Sequence, residues 1–137
     1  MSNQNNKVIV GVMSNKINKF FILLLVMVLM SCSKSVDIQL ETQVHVFLSD
    51  NTEQKILLTQ KDEVYVTLNT WLDENKDGWY ATSGRYPGGV YIKSGNYGIQ
   101  VTESKVIIYS TSGNKPKAIY IQDIEKGELN EVINFSK

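Results

Sequence analysis

Apolar and polar positions alternate along much of this chain with a period of two. From Val36 to Leu48, the residues Val36, Ile38, Leu40, Val44, Val46 and Leu48 fall on one side, and Asp37, Gln39, Glu41, Gln43 and His45 on the other. That is the pattern of a strand with one buried face. The run is long for a strand, so a bulge or bend is expected near Thr42.

The same reading continues down the chain. Ser49–Thr52 is a turn cluster, Lys55–Thr59 a second strand and Gln60–Asp62 the next turn. Glu63–Leu72 alternates again, with Val64, Val66, Leu68 and Leu72 inward and Glu63, Tyr65, Thr67, Asn69 and Trp71 outward, so a strand is expected there. After the loop Asp73–Gly78, Trp79–Thr82 reads as a short strand. Ser83–Gly89 is a glycine-rich turn, and Pro87 keeps it out of any central strand. Val90–Lys93 and Tyr97–Thr102 form a hairpin around Ser94–Asn96. Lys105–Ser110 carries the β-branched run Val106–Ile108, suited to a buried strand. Ala118–Gln122 is another strand, reached through the loop Thr111–Lys117. Asp123–Glu131 fits either a helical turn broken at Gly127 or a hairpin into Val132–Phe135. No window keeps helical spacing for three turns. The expectation is an all-β fold, a small antiparallel β-sandwich or barrel of seven to nine short strands after a cleaved signal peptide.

The first part of the chain follows a different pattern. Lys16-Ile-Asn-Lys19 leads into the apolar run Phe20–Met30, which ends at Ser31 and Cys32. A basic start, a short apolar core and a small residue make an export signal, and a run of this length falls short of the roughly 20 residues that span a bilayer. Leu29-Met30-Ser31-Cys32 resembles the lipobox of bacterial lipoproteins, with Met30 standing where that pattern more often has a small or β-branched residue. The resemblance implies cleavage before Cys32 and lipid on its thiol and new amino group. With Ser33 following, it also implies sorting to the outer membrane. Met1-Ser-Asn and Met13-Ser-Asn offer two starts, and the second gives a signal peptide of ordinary length. The chain thus divides into a leader and signal peptide (1–31), a lipidated tether (32–35) and a β domain (36–137). Two acyl chains hold a protein stably on a bilayer, at about 0.8 kcal/mol per buried methylene. A four-residue tether reaches at most about 14 Å, so the domain should stand close to the membrane.

Composition refines this picture in two respects. Three of the 14 basic residues precede Cys32 and none of the 14 acids does, which leaves the remainder at a net −3. Such a body has no basic footprint for nucleic acid. Cys32 is the only cysteine, so no disulfide supports the domain, and lipidation removes its thiol from metal or nucleophilic chemistry.

Candidate chemistry is sparse. Asp73-x-Asn75-x-Asp77-Gly78 resembles the first half of an EF-hand or dockerin-type calcium loop, with oxygen ligands at alternate positions and glycine at the sixth. Its twelfth position is Gly84, where the EF-hand has glutamate, and a plain polar turn explains the same residues. Aromatic residues recur on the polar faces of strands: Phe47, Tyr65, Trp71, Tyr91 and Tyr120. If their strands are neighbours, these rings form an exposed platform for a sugar or a partner protein; otherwise they are cross-strand pairs. His45 has no second histidine to make a metal site, and no Gly-x-Ser-x-Gly elbow supports a triad. The glycine-rich loop presents Arg85 and Tyr86 at its tip but lacks the lysine of a phosphate loop.

The function expected from these residues is that of a non-enzymatic lipoprotein without a cofactor. It would be held on the extracytoplasmic side of the cell envelope, and its β domain would bind a protein or glycan, as an inhibitor or immunity-type protein does. Two alternatives are a hydrolase built on carboxylates such as Asp73, Asp77, Glu103 and Asp123, and a structural module stabilised by calcium.

Overall fold

The computed structural model describes residues 18–24, 33–48 and 51–135, and of residues 51 and 52 the backbone. Cys32 and the rest of the lipobox lie outside the described residues. Residues 18–24 form a short helix, α1, whose apolar side chains Phe20–Leu24 are exposed. No helix among the described residues is long and apolar enough to cross a membrane.

Residues 33–137 make a second compact unit. Its elements are β1 (Gln43–Leu48), β2 (Asn51–Thr59), α2 (Glu63–Glu74), β3 (Tyr80–Ala81), β4 (Val90–Ser94), β5 (Tyr97–Val101), β6 (Lys105–Ser110), β7 (Lys117–Asp123) and α3 (Asn130–Asn134). The strands form one sheet in the order β2-β1-β4-β5-β6-β7-β3, with every pairing antiparallel. The strand-dominated antiparallel fold of the sequence reading therefore stands, at the lower end of the expected strand count. The sheet is open and does not close into a barrel.

The alternation of each strand sorts its side chains between two faces. One face carries Val44, Val46, Leu58, Val90, Ile92, Ile99, Val101, Val106 and Ile108, all buried in one cluster. Helix α2 covers it with Tyr65, Leu68, Trp71 and Leu72, and Leu129 and Val132 add to it from the C-terminal end. The segment 36–40 supplies Val36, Ile38 and Leu40, while Asp37 and Gln39 face water.

That segment is extended but belongs to no ladder strand. The chain bends at Thr42, as expected, and only Gln43–Leu48 pair in the sheet. Other partners satisfy the backbone before the bend. Lys34 exchanges hydrogen bonds with Trp79, Val36 N–H donates to the Lys76 carbonyl, Leu40 N–H to Asn69 Oδ1 and Glu41 N–H to Ser94 Oγ.

Glu63–Leu72 is a helix, which corrects the expected strand and the absence of helical spacing. Val64, Val66 and Leu68 fit a period of two, but Tyr65, Leu68 and Leu72 fit the i, i+3, i+7 spacing of a helix face equally well. Burial of the aromatic residues decides between them. Asp62 is the N-cap; its carboxylate accepts from the Thr59 N–H at 2.6 Å and fixes the turn that starts the helix.

Candidate functional site

The second face of the sheet is partly open to solvent. His45, Phe47, Leu57, Tyr91, Lys93, Gly98, Gln100, Ile107 and Tyr109 point to it, as the strand registers require. Near its middle lies a groove of about 640 Å³, within the range that small ligands and short peptide anchors fill. Phe47, Tyr91 and Tyr109 give it aromatic walls, and the loops around Gly88–Gly89 and Asn114–Pro116 form its lips.

Glycine makes room for the aromatic cluster. Gly98 stands diagonally across from Tyr91 on the paired strand, and a Cβ there would collide with the Tyr91 hydroxyl and ring. The bare backbone lets the ring lie over β5. Tyr91 then meets Phe47 at 5.9 Å and 58°, and Tyr109 at 5.7 Å and 71°. Such inclined packing suits the ring quadrupoles. Lys55 Nζ stands 5.6 Å from the Phe47 ring centre on the other side.

A buried glutamine ties one lip to the floor. Gln100 Nε2 donates to the carbonyls of Tyr86 and Gly88 at 2.8 and 2.7 Å, and Tyr109 Oη donates to Gln100 Oε1 at 2.6 Å. Thr82 Oγ1 shares a hydrogen bond with Tyr86 Oη. The loop reaches β4 through Gly89, at φ +75°, where a Cβ would collide with the Val101 carbonyl oxygen. Only glycine meets both demands.

The phenols respond to this packing. Burial raises the Tyr91 pKa above the ordinary 10.0, and the neighbouring Tyr109 raises it further. Tyr109 is raised by burial and then by Tyr86. The Tyr91 hydroxyl is buried and without a hydrogen-bond partner among the described residues.

The expected aromatic platform is corrected by these positions. Of its five members, Phe47 and Tyr91 share the open face. Tyr65 and Trp71 lie on α2 and point into the core, where Tyr65 Oη donates to the carbonyls of Leu40 and Glu41 and Trp71 Nε1 to Glu128 Oε1. Tyr120 pairs with Ile108 and packs half-buried against the covered face. No sequence pattern marks Tyr109 or Gln100 as site residues. The consecutive apolar residues Val106–Ile108 hide the alternation that turns Tyr109 outward, and nothing local marks a glutamine that bonds a loop twelve residues away.

The proposed calcium loop closes helix α2. Asn75 is the C-cap, and its side-chain amide donates to the Trp71 carbonyl. Asp73 pairs with Lys76 at 3.0 Å, and Trp79 Nε1 donates to the Asn75 carbonyl. The Asp77 carbonyl accepts from Gln122, and Gly78 takes φ +84°. Hydrogen bonds from Asp73, chiefly, and the charge of Asp37 hold the Lys76 pKa above its usual value. No group of three His, Cys, Asp or Glu among the described residues is placed to hold a metal ion. Glu103 lies in the turn between β5 and β6, and Asp123 pairs with Lys105 at the end of β7.

Compared with known proteins, the chain matches no family model, no curated protein and no solved structure.

Proposed function

We propose that this chain is a lipid-anchored bacterial envelope protein whose β domain binds a segment of a partner protein in the groove between Phe47, Tyr91 and Tyr109. The observation that carries the reading is the open aromatic groove itself, set on a sheet whose other face is filled by its own core. Rings inclined at 58° and 71° do not make the flat platform on which sugars stack, so a side chain packed against their uneven surface fits better than a glycan. The activity in this reading is binding. Attachment rests on Cys32, whose lipidation holds the domain on the outer membrane. Lys34 is already bonded to Trp79, so Ser33 alone spans the gap and the domain stands within about 7 Å of the lipid boundary.

Two measurements test the two halves of this reading. Cys32→Ala should leave the chain unlipidated and its leader uncut; the loss of metabolic labelling with a fatty acid reports it. A photo-crosslinking residue at Asn114, on the groove lip, should join a partner protein in intact envelopes. The adduct should vanish when Thr111→Trp fills the groove, and crosslinking that is indifferent to Thr111→Trp refutes the groove as the site.

A further inference from the structure

The charge around the groove runs against the charge of the domain. Residues 33–137 are net acidic. Yet among the described residues that line the groove Lys93 is the one charged side chain, and no carboxylate lines it. Lys93 is exposed and forms no ion pair with any described residue. Its cross-strand neighbours are His45 and Gly98, neither of them an acid. Two further cations stand at the rim: Lys55 against the outer side of Phe47, and Lys115 on the exposed loop between the lining residues Asn114 and Pro116.

Resting on the groove reading above, we infer that the bound segment is an acidic peptide. One apolar or aromatic side chain packs in the groove against the surface that Phe47, Tyr91 and Tyr109 present, and a flanking Asp or Glu meets Lys93. The two parts follow from different features of the site. The rings and Pro116 supply mainly apolar surface, and the Gln100 side chain is committed to Tyr86, Gly88 and Tyr109. Lys93 supplies a cation at the boundary between that surface and water, where a charge steers encounter and selects register more than it adds affinity. A basic segment meets like charge at three places on the rim.

Selection of random heptapeptides displayed on phage, against the full-length chain in detergent, tests the inference. Binders that depend on the groove are those lost on Thr111→Trp, and on Tyr91→Ala as a second variant. They should carry an apolar residue flanked by Asp or Glu. They should weaken roughly tenfold on Lys93→Glu, and weaken as salt rises from about 0.05 to about 0.5 M. A repeat selection on Lys93→Glu should enrich Lys and Arg instead. Groove-dependent binders that are neutral or basic overturn the acidic assignment and leave the groove reading standing. A selection that yields no groove-dependent binder overturns both.

Discussion

The Tyr91 hydroxyl is sheltered from water and bonded to nothing among the described residues. An unmet buried hydroxyl costs about 1–3 kcal/mol, so its removal should not harm the fold. Tyr91→Phe should leave the unfolding free energy unchanged or raise it by about 1 kcal/mol, as measured by urea denaturation. Gly98→Ala is the opposite case. The added methyl meets a ring held between Phe47 and Tyr109, and the overpacking should cost about 1–3 kcal/mol. The two sites are in contact, so a double-mutant cycle should show coupling: in a Tyr91→Ala background the Gly98 methyl should cost little. The phenols also make an alkaline prediction. Tyr91 and Tyr109 ionise later in the folded chain than in the unfolded one. Below the ordinary pKa both states keep these protons, and their contribution is fully present. Above about pH 10 the unfolded chain releases them first and stability falls. Unfolding free energy should therefore be level through neutral pH and drop beyond about pH 10, less steeply in Tyr91→Phe or Tyr109→Phe. Phenolate absorbance followed against pH reports the same delay.

Secondary structure was legible where a single period fitted and illegible where two did. The hairpin β4–β5 follows from alternation in Val90, Ile92, Ile99 and Val101 around a turn at Gly95, which takes φ +56°. In α2 the β-branched residues Val64, Val66 and Thr67 favour a strand locally, and the packing of Tyr65, Leu68, Trp71 and Leu72 overrides that preference. The two periods invert the roles of neighbours, which makes them separable by mutation. A strand would bury Val66 and expose Tyr65; the helix buries Tyr65 and leaves Val66 about half exposed. Val66→Ala should change stability by no more than about 0.5 kcal/mol, because alanine favours a helix and little contact is lost. Leu68→Ala, at 1% exposure, should cost about 2–5 kcal/mol. Thermal unfolding followed by far-ultraviolet circular dichroism distinguishes the two, and a costly Val66→Ala would restore the strand. The candidate site divides by the same logic. Phe47 and Tyr91 lie where alternation puts them, whereas Tyr65 and Trp71 failed with the strand that was to carry them.

At the scale of the whole domain, the sheet needs a second layer, and no single element provides it. Helix α2 covers part of one face; the remainder falls to the C-terminal residues Leu129 and Val132 and to the extended segment before Thr42. Alternation identified which residues of that segment are buried but not what it packs on, because a period of two records burial and not pairing. Its hydrogen bonds run to Lys76 and Trp79 after α2, to Asn69 on α2 and to Ser94 on β4, three different parts of the fold. The segment therefore behaves as a strap across the core and not as an edge strand that can fray. Ile38, 7% exposed, should respond as an interior residue: Ile38→Ala should cost about 2–5 kcal/mol. The adjacent Gln39→Ala, on the exposed side, should stay within about 0.5 kcal/mol. A strap fastened at both ends should also unfold with the rest, so Trp fluorescence and far-ultraviolet circular dichroism of Ile38→Ala should give one coincident transition. A silent Ile38→Ala, or an early transition confined to one probe, would instead show a loosely held leader on a sheet that is stable without it.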